Sequence, residues 1–295
     1  MSSILDDIKT SFKHGNALTR IIYINLAVFL VMKIVPSLSS LFIRPGIRID
    51  RWFSLPADLG SLLFKPWTIV SYMFLHVDFF HILFNLLWLY FLGKIFLDLL
   101  GEKRFISTYL LGGMAGGLLY ILAYNIFPVF SDVLPFATAM GASASVMAII
   151  VAIATKVPNY TIRLILLGEV KLKYIAIVFV AMDLISMSDG NAGGHLAHIG
   201  GALFGFTYIR SMDRGVDWSA TFYKWIAIFQ SLFKTNKPGK MHVAHKGKGT
   251  PSSAKRKGHS DQEMVDVILD KISKSGYDSL SAEEKSILFK ASQNN

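Results

Sequence analysis

The chain has 295 residues, 53% of them hydrophobic and 17% charged, against roughly 25% charged in an average soluble protein. This balance excludes an ordinary soluble domain and extended disorder. The absence of cysteine excludes a disulfide-built fold and any thiolate centre. The net charge of +10 invites a nucleic-acid reading, but the segment from Lys234 to Lys257 carries eight Lys/Arg and no acid. The excess charge therefore belongs to a tail rather than to a basic groove, and no nucleic-acid partner is expected.

Residues 1–17 are polar, with Asp6, Asp7, Lys9 and Lys13, and lack the pattern of a cleaved signal. They are expected to form a cytoplasmic segment. Crossing about 30 Å of hydrocarbon takes about 20 apolar residues. Stretches of that character occupy 18–35, 79–97, 105–130, 134–155, 174–187 and 190–209, the fifth being the shortest and carrying Asp183. The expected fold is all-α: a polytopic membrane protein whose six transmembrane helices lie within 18–211. The connector after the first stretch runs from 36 to 78, long for a loop between two spans. It holds Pro45, Pro56, Pro66 and several aromatics, and is expected to be a structured insertion on the outer face. Lys103 and Arg104 follow the second stretch and Lys156, Arg163, Lys171 and Lys173 the fourth, while the connectors after the third and fifth carry no Lys or Arg. The positive-inside rule then places both termini in the cytoplasm, with a bacterial plasma (inner) membrane as the expected setting.

In 212–233, Trp218, Phe222, Trp225, Ile226, Phe229 and Phe233 recur at helical spacing. This is too short to span comfortably and predicts an amphipathic helix lying in the interface. Residues 234–259 read as a basic flexible linker that anionic lipids attract. Residues 260–295 read as a small helical hairpin. Ser260 with Glu263 and Ser281 with Glu284 are capping-box patterns, Met264, Ile268 and Ile272 share a face, and Gly276 sits where a helix stops. So small a unit is expected to dock on a partner, which the sequence does not name.

Polar groups inside spans are expensive, about 2.5–3.5 kcal/mol for a charge at mid-helix, and so point to function. Three clusters stand out: His76, His81 and Asn85 in HVDFFHILFN; Ser143 and Ser145 in MGASASVM; His195 and His198 in GGHLAHIGGALFG. His81 and Asn85 share one helix face, as do His195 and His198. Spans two, four and six run in the same direction and each cluster lies near its span's N-terminal end. All three therefore meet at one depth, which suits a reaction site rather than a lined pore. Taken singly, each residue has a plainer role. A serine in a membrane helix usually bonds back to a carbonyl or fills a small-residue contact. A lone histidine bonds to a neighbouring helix as often as it reacts, and Gly201-xxx-Gly205 is first a packing motif.

In combination these motifs resemble the rhomboid intramembrane serine proteases, over roughly residues 18–210. The resemblance implies a six-helix bundle whose short fourth helix starts at the floor of a water-filled cavity. It implies Ser143 as nucleophile and His198 as general base. His81, Asn85 and the Ser143 backbone N–H would form the oxyanion hole, with His76 at the mouth and Gly141 beside the nucleophile. Gly201 and Gly205 would press helix six onto helix four. The chain departs from the family's pattern at Ala144, Met147, Trp67-Thr68 and His195.

A serine needs an adjacent base to attack, and His198 can take its proton and return it to a leaving amine. No acid lies beside either residue in sequence, so a Ser-His dyad is the simpler expectation. Asp183 is the one carboxylate near the same level that could orient a histidine. The expected function is hydrolysis of peptide bonds in or near transmembrane helices of membrane-protein substrates, with no cofactor and no metal. Alternatives are a non-catalytic rhomboid-like protein that binds membrane helices, a membrane protein with a histidine-ligated haem or metal, and a transporter.

Overall fold

The structure, a computed structural model, describes residues 3–44, 46–164, 168–188, 190–233 and 261–293. It divides into two compact units, Met1–Lys234 and Thr235–Asn295.

The first unit opens with a short amphipathic helix in the polar N-terminal segment, α1 (Ile4–His14), capped by Ser3. Asn16 caps α2 (Ala17–Ser39). The connector that follows is structured, as expected: α3 (Asp50–Phe53), β1 (Leu55–Pro56), α4 (Leu59–Phe64), α5 (Thr68–Ser71) and a 3-10 turn at Tyr72–Phe74. Then come α6 (Phe79–Leu100) and α7 (Glu102–Ile126), β2 (Thr138–Ala139), α8 (Ser143–Lys156), the β3 (Thr161–Leu164) and β4 (Gly168–Lys171) hairpin, α9 (Leu172–Ile185), α10 (Ala192–Asp213) and α11 (Trp218–Phe233). Two small antiparallel pairs, β1 with β2 and β3 with β4, qualify the all-α expectation.

Among the described residues three helices, α2, α6 and α7, are long and apolar enough to cross a membrane. Leu30, Val31 and Ile34 on α2, Phe84, Leu87 and Phe91 on α6, and Leu118 and Leu122 on α7 are exposed. So large an apolar surface, on helices whose backbone groups bond internally, is that of a membrane protein. The other three expected spans correspond to the shorter or less apolar helices α8, α9 and α10. The fourth does not start at residue 134: its helix begins only at Ser143, because Thr138 and Ala139 are drawn into pairing with Pro56 and Leu55. At 14 residues each, α8 and α9 measure about 21 Å, shorter than the hydrocarbon core. Helix α10 is long, with 22 residues, but its glycines and two histidines dilute its apolar character.

At the heart of the unit α7, α8 and α10 approach almost backbone to backbone. A methyl group added at Gly116 would strike the Ala144 side chain and the Ala197 carbonyl, and one at Gly201 would overlap the Ala144 carbonyl. Helix α8 is consequently buried along nearly its whole length. Small residues replace side-chain interdigitation where no hydrophobic effect drives helices together in lipid.

At the other end of α7, Asp217, just before α11, ties three helices together. It accepts from Arg104 Nε (2.8 Å), the Tyr208 hydroxyl (3.0 Å) and the Ser219 N–H (2.9 Å). Partial burial pushes its carboxyl up, but hydrogen bonds from Ser219, Arg104 and Tyr208 outweigh burial and bring it down to about 2. Met212 and Asp213 belong to α10, so the aromatic helix starts at Trp218 rather than at 212. Trp225 and Phe229 on it are exposed.

In the second unit α12 (Asp261–Ser275) and α13 (Ala282–Gln293) flank a 3-10 turn at Tyr277–Ser279. Gly276 follows α12 with φ +76°. The Ser281–Glu284 capping box forms, with Ser281 N–H donating to Glu284 Oε2 (2.7 Å) and Glu284 N–H to Ser281 Oγ (3.2 Å). Ile268 is buried. The first box, with Ser260, and the basic linker lie outside the described residues.

Candidate active site

Each of the three polar motifs sits at a helix N-terminus, and local chemistry puts it there. Asp78 caps α6 by accepting from the His81 N–H (2.9 Å), which places His81 in the first turn and Asn85 one turn below. Asn191 caps α10, accepting from the Gly194 N–H, which places His195 in the first turn and His198 in the next. Helix α8 has no side-chain cap: Ala142 occupies the cap position and Ser143 is the first helical residue. Its leading N–H groups have no partner within the helix and carry the positive end of the dipole.

The loop entering α8 is pinned rather than free. β2 is held by β1, and the Gly141 N–H donates to the Tyr72 carbonyl (2.9 Å). Tyr72 is itself anchored, its hydroxyl donating to the Gly113 carbonyl of α7. Gly141 has φ +143°, a backbone conformation that side chains disfavour. A Cβ there would also lie 3.0 Å from His81 Nε2 and 3.3 Å from Ser143 Oγ. The bare glycine thus keeps open the gap between histidine and serine.

His81, Asn85, Gly141, Ser143, Asp183 and His198 all line one cavity of about 910 Å³, together with Met147, Tyr120, Trp88 and Phe179. Ser143 Oγ makes no hydrogen bond among the described residues and faces this space. The Val77 N–H donates to His81 Nδ1 (3.4 Å), which makes Nδ1 the acceptor and leaves the proton on Nε2, beside Gly141. Asn85 spends one amide hydrogen on the His81 carbonyl (2.8 Å) and keeps the other. An Nε2–H, an amide N–H and the α8 N-terminus thus line the space around Ser143.

The expected place of His76 changes. His76 is not at the mouth: it is 3% exposed, does not line the cavity, and packs edge-on behind His81, with ring centroids 5.1 Å apart. It sits just before the Asp78 cap, where the chain turns inward from the Tyr72–Phe74 turn. Asp183 Oδ1 lies 2.7 Å from His198 Nδ1 and 2.8 Å from His195 Nδ1, so the carboxylate at this level meets both histidines of α10. The sequence signal for this was a carboxylate in an apolar stretch, 12 and 15 residues before the two histidines. Only the fold brings them together. Ser145, in contrast, is fully buried and its hydroxyl faces Gly113 of α7.

The departures from the family's pattern are accommodated. Ala144 is the small residue onto which Gly116 and Gly201 close. Met147 is 4% exposed and lines the cavity. Trp67 Nε1 donates to the Trp52 carbonyl (2.7 Å) and the Thr68 hydroxyl to the Lys65 carbonyl (2.6 Å), so both brace the first connector.

The fold is a helical membrane bundle, with a serine at one helix N-terminus and two histidines lining the same cavity. Comparison with known proteins agrees. The Rhomboid domain family matches residues 63–213, and the chain belongs to the rhomboid family. Residues 254–294 match a family of unknown function. The chain is 28% identical to presenilin-associated rhomboid-like protein A, mitochondrial, of Danio rerio, over 70% of this chain and 51% of that protein. It is 30% identical to the Homo sapiens presenilin-associated rhomboid-like protein, mitochondrial, over 65% of this chain and 47% of that protein. To rhomboid-like protease 3 of Toxoplasma gondii it is 26% identical, over 52% and 54%. The chain spans about half the length of these relatives.

Proposed function

We propose that this protein is an intramembrane serine protease that hydrolyses peptide bonds in or near the transmembrane helices of membrane-protein substrates. The observation that carries this reading is the meeting of Ser143, His198, His81 and Asn85, from three helices, on one cavity. The similarity to rhomboid-like protease 3 of T. gondii supports it.

In this reading His198 Nε2 takes the proton of Ser143 Oγ–H as Oγ bonds to the scissile carbonyl carbon. The negative charge that develops on the carbonyl oxygen is met by the Ser143 N–H, His81 Nε2–H and the free Asn85 amide hydrogen. Each such donor is worth about 3–4 kcal/mol in the transition state. The proton then passes from His198 to the leaving amine as the C–N bond breaks. Water, activated by the same histidine, hydrolyses the acyl-enzyme. The missing Ser143–His198 hydrogen bond is no obstacle, since such bonds commonly tighten only with substrate present.

A substrate helix hides its carbonyls in its own hydrogen bonds. It must unwind locally, which favours Gly, Pro or polar residues near the cut. Helices α2, α6, α7, α8, α9 and α10 would form the six spans, with both termini on the inner side and the site toward the outer face. The basic linker would lie on anionic lipid. The mitochondrial names of several relatives remove the ground for choosing a bacterial plasma membrane, so the proposal is an integral membrane without a named organelle.

The test is cleavage of a single-span substrate by purified protein in detergent. The wild type should cut and Ser143→Ala should not. Equal cleavage by both would sink the proposal.

A further inference from the structure

We propose that Asp183 is a positioning residue: through a single oxygen it holds His195 and His198 together and fixes His198 in the tautomer that a general base needs. This rests on the protease reading above and goes beyond the two-residue machinery that the sequence suggests.

Asp183 is 6% exposed on the last turn of α9. An ionised carboxylate only accepts, and one oxygen has two lone pairs. Oδ1 stands 2.7 Å from His198 Nδ1 and 2.8 Å from His195 Nδ1. Both contacts are favourable only if each Nδ1 bears hydrogen; a bare Nδ1 would set lone pair against lone pair. With its proton on Nδ1, neutral His198 has Nε2 free to accept the serine proton. His81 is set the opposite way: the Val77 N–H on its Nδ1 puts its hydrogen on Nε2. The two imidazoles around Ser143 therefore hold complementary roles, one accepting and one donating. Each is set by a group behind it and not by the serine.

His195 has a part in this. A buried carboxylate is costly unless its lone pairs are met. His195, three residues before His198 on the same face of α10, fills the second lone pair of the same atom. It braces the carboxylate in line with His198.

The same three residues offer donor atoms within 4.8 Å of one another, as a cation site would. The distances favour protons. Two ligands each about 2 Å from a tetrahedral zinc stand more than about 3 Å apart, whereas both nitrogens here lie at hydrogen-bond distance from one oxygen.

The test uses the full chain in detergent, with a single-span substrate and a fluorophosphonate probe. Asp183→Asn should lower kcat and the rate of Ser143 labelling by about 10²-fold or more, with KM little changed. The Asn amide can donate to Nδ1 and so stabilise the wrong tautomer. Asp183→Glu should recover part of the loss, and His195→Ala should cost less than Asp183→Asn. The ¹⁵N spectrum of the histidine rings gives a readout apart from activity. Wild type should show His198 protonated on Nδ1, and Asp183→Asn should lose that signature. Wild-type kcat in Asp183→Asn, an Nε2 proton on His198 in the wild type, or zinc retained one-to-one on purification would each overturn the proposal. Should Asp183→Asn fail to fold, the wild-type spectrum decides alone. The protease reading fails separately, if Ser143→Ala cleaves as the wild type does.

Discussion

Gly201 of α10 lies directly on the Ala144 carbonyl of α8, so closely that even one methyl group at Gly201 would overlap it. This contact fixes the depth and rotation of the first turn of α8, and so the position of Ser143, relative to the helix that carries His198. Gly201→Leu is therefore expected to lower thermal stability in detergent and to abolish cleavage. Overpacking costs typically about 1–3 kcal/mol, and more where backbone is struck. Leu203→Ala, at an exposed position of the same helix, should leave the unfolding temperature nearly unchanged. Unfolding followed by tryptophan fluorescence checks both, and equal stability of Gly201→Leu and wild type would contradict the account.

The two serines of α8 should behave differently. Ser145 is turned into the contact with α7, while Ser143 lines the cavity. Ser143→Ala and His198→Ala should each abolish cleavage. The double variant should be no worse than either single one, because the pair acts as a unit. Ser145→Ala should keep most activity. A substrate-cleavage assay on the four variants settles the assignment.

Much of this site is legible in the sequence because its signals are local. A histidine and an amide four apart, or two histidines three apart, declare a shared helix face whatever the helix packs against. Ser143 and Ser145, two apart, declare opposite faces. Asp183 is harder to assign, since its partners follow 12 and 15 residues later and their meeting depends on how α9 packs on α10. The start of α8 is misjudged for a related reason. Residues 134–142 are apolar enough to read as span, but the distant pairing of Thr138 and Ala139 with Pro56 and Leu55, together with the Gly141 bond to Tyr72, draws them out of the helix. His76 shows the limit of motif reading: its spacing from His81 is right, but the turn before α6 buries it.

The Asp217 node predicts a pH dependence. A carboxyl held at about 2 in the folded state stabilises that state above its unfolded pKa of about 3.9 and loses the contribution as pH falls toward the folded value. Asp217→Asn should therefore be less stable than wild type near neutral pH, by about 1 kcal/mol for a partly exposed pair. The difference should close between about pH 4 and pH 2. Thermal melts across that range check it; a gap that persists below pH 2 would argue against the pairing.

The second unit should be dispensable for chemistry. All candidate catalytic residues precede Ile209, and the chain divides after Lys234. A protein ending at Phe233 is expected to keep proteolysis of a single-span substrate in detergent, at a rate within about tenfold of the full chain, since it retains every group that acts on the substrate. Complete loss in a folded truncated protein would assign the unit a part in the reaction itself.

In the proposed mechanism Ser143 is a nucleophile activated by His198. Treating the purified membrane protein with a fluorophosphonate and mapping the modified peptide by mass spectrometry checks this. A covalent adduct on Ser143, absent from His198→Ala, is expected. No adduct on folded protein, or an adduct on another serine that persists in His198→Ala, would contradict it.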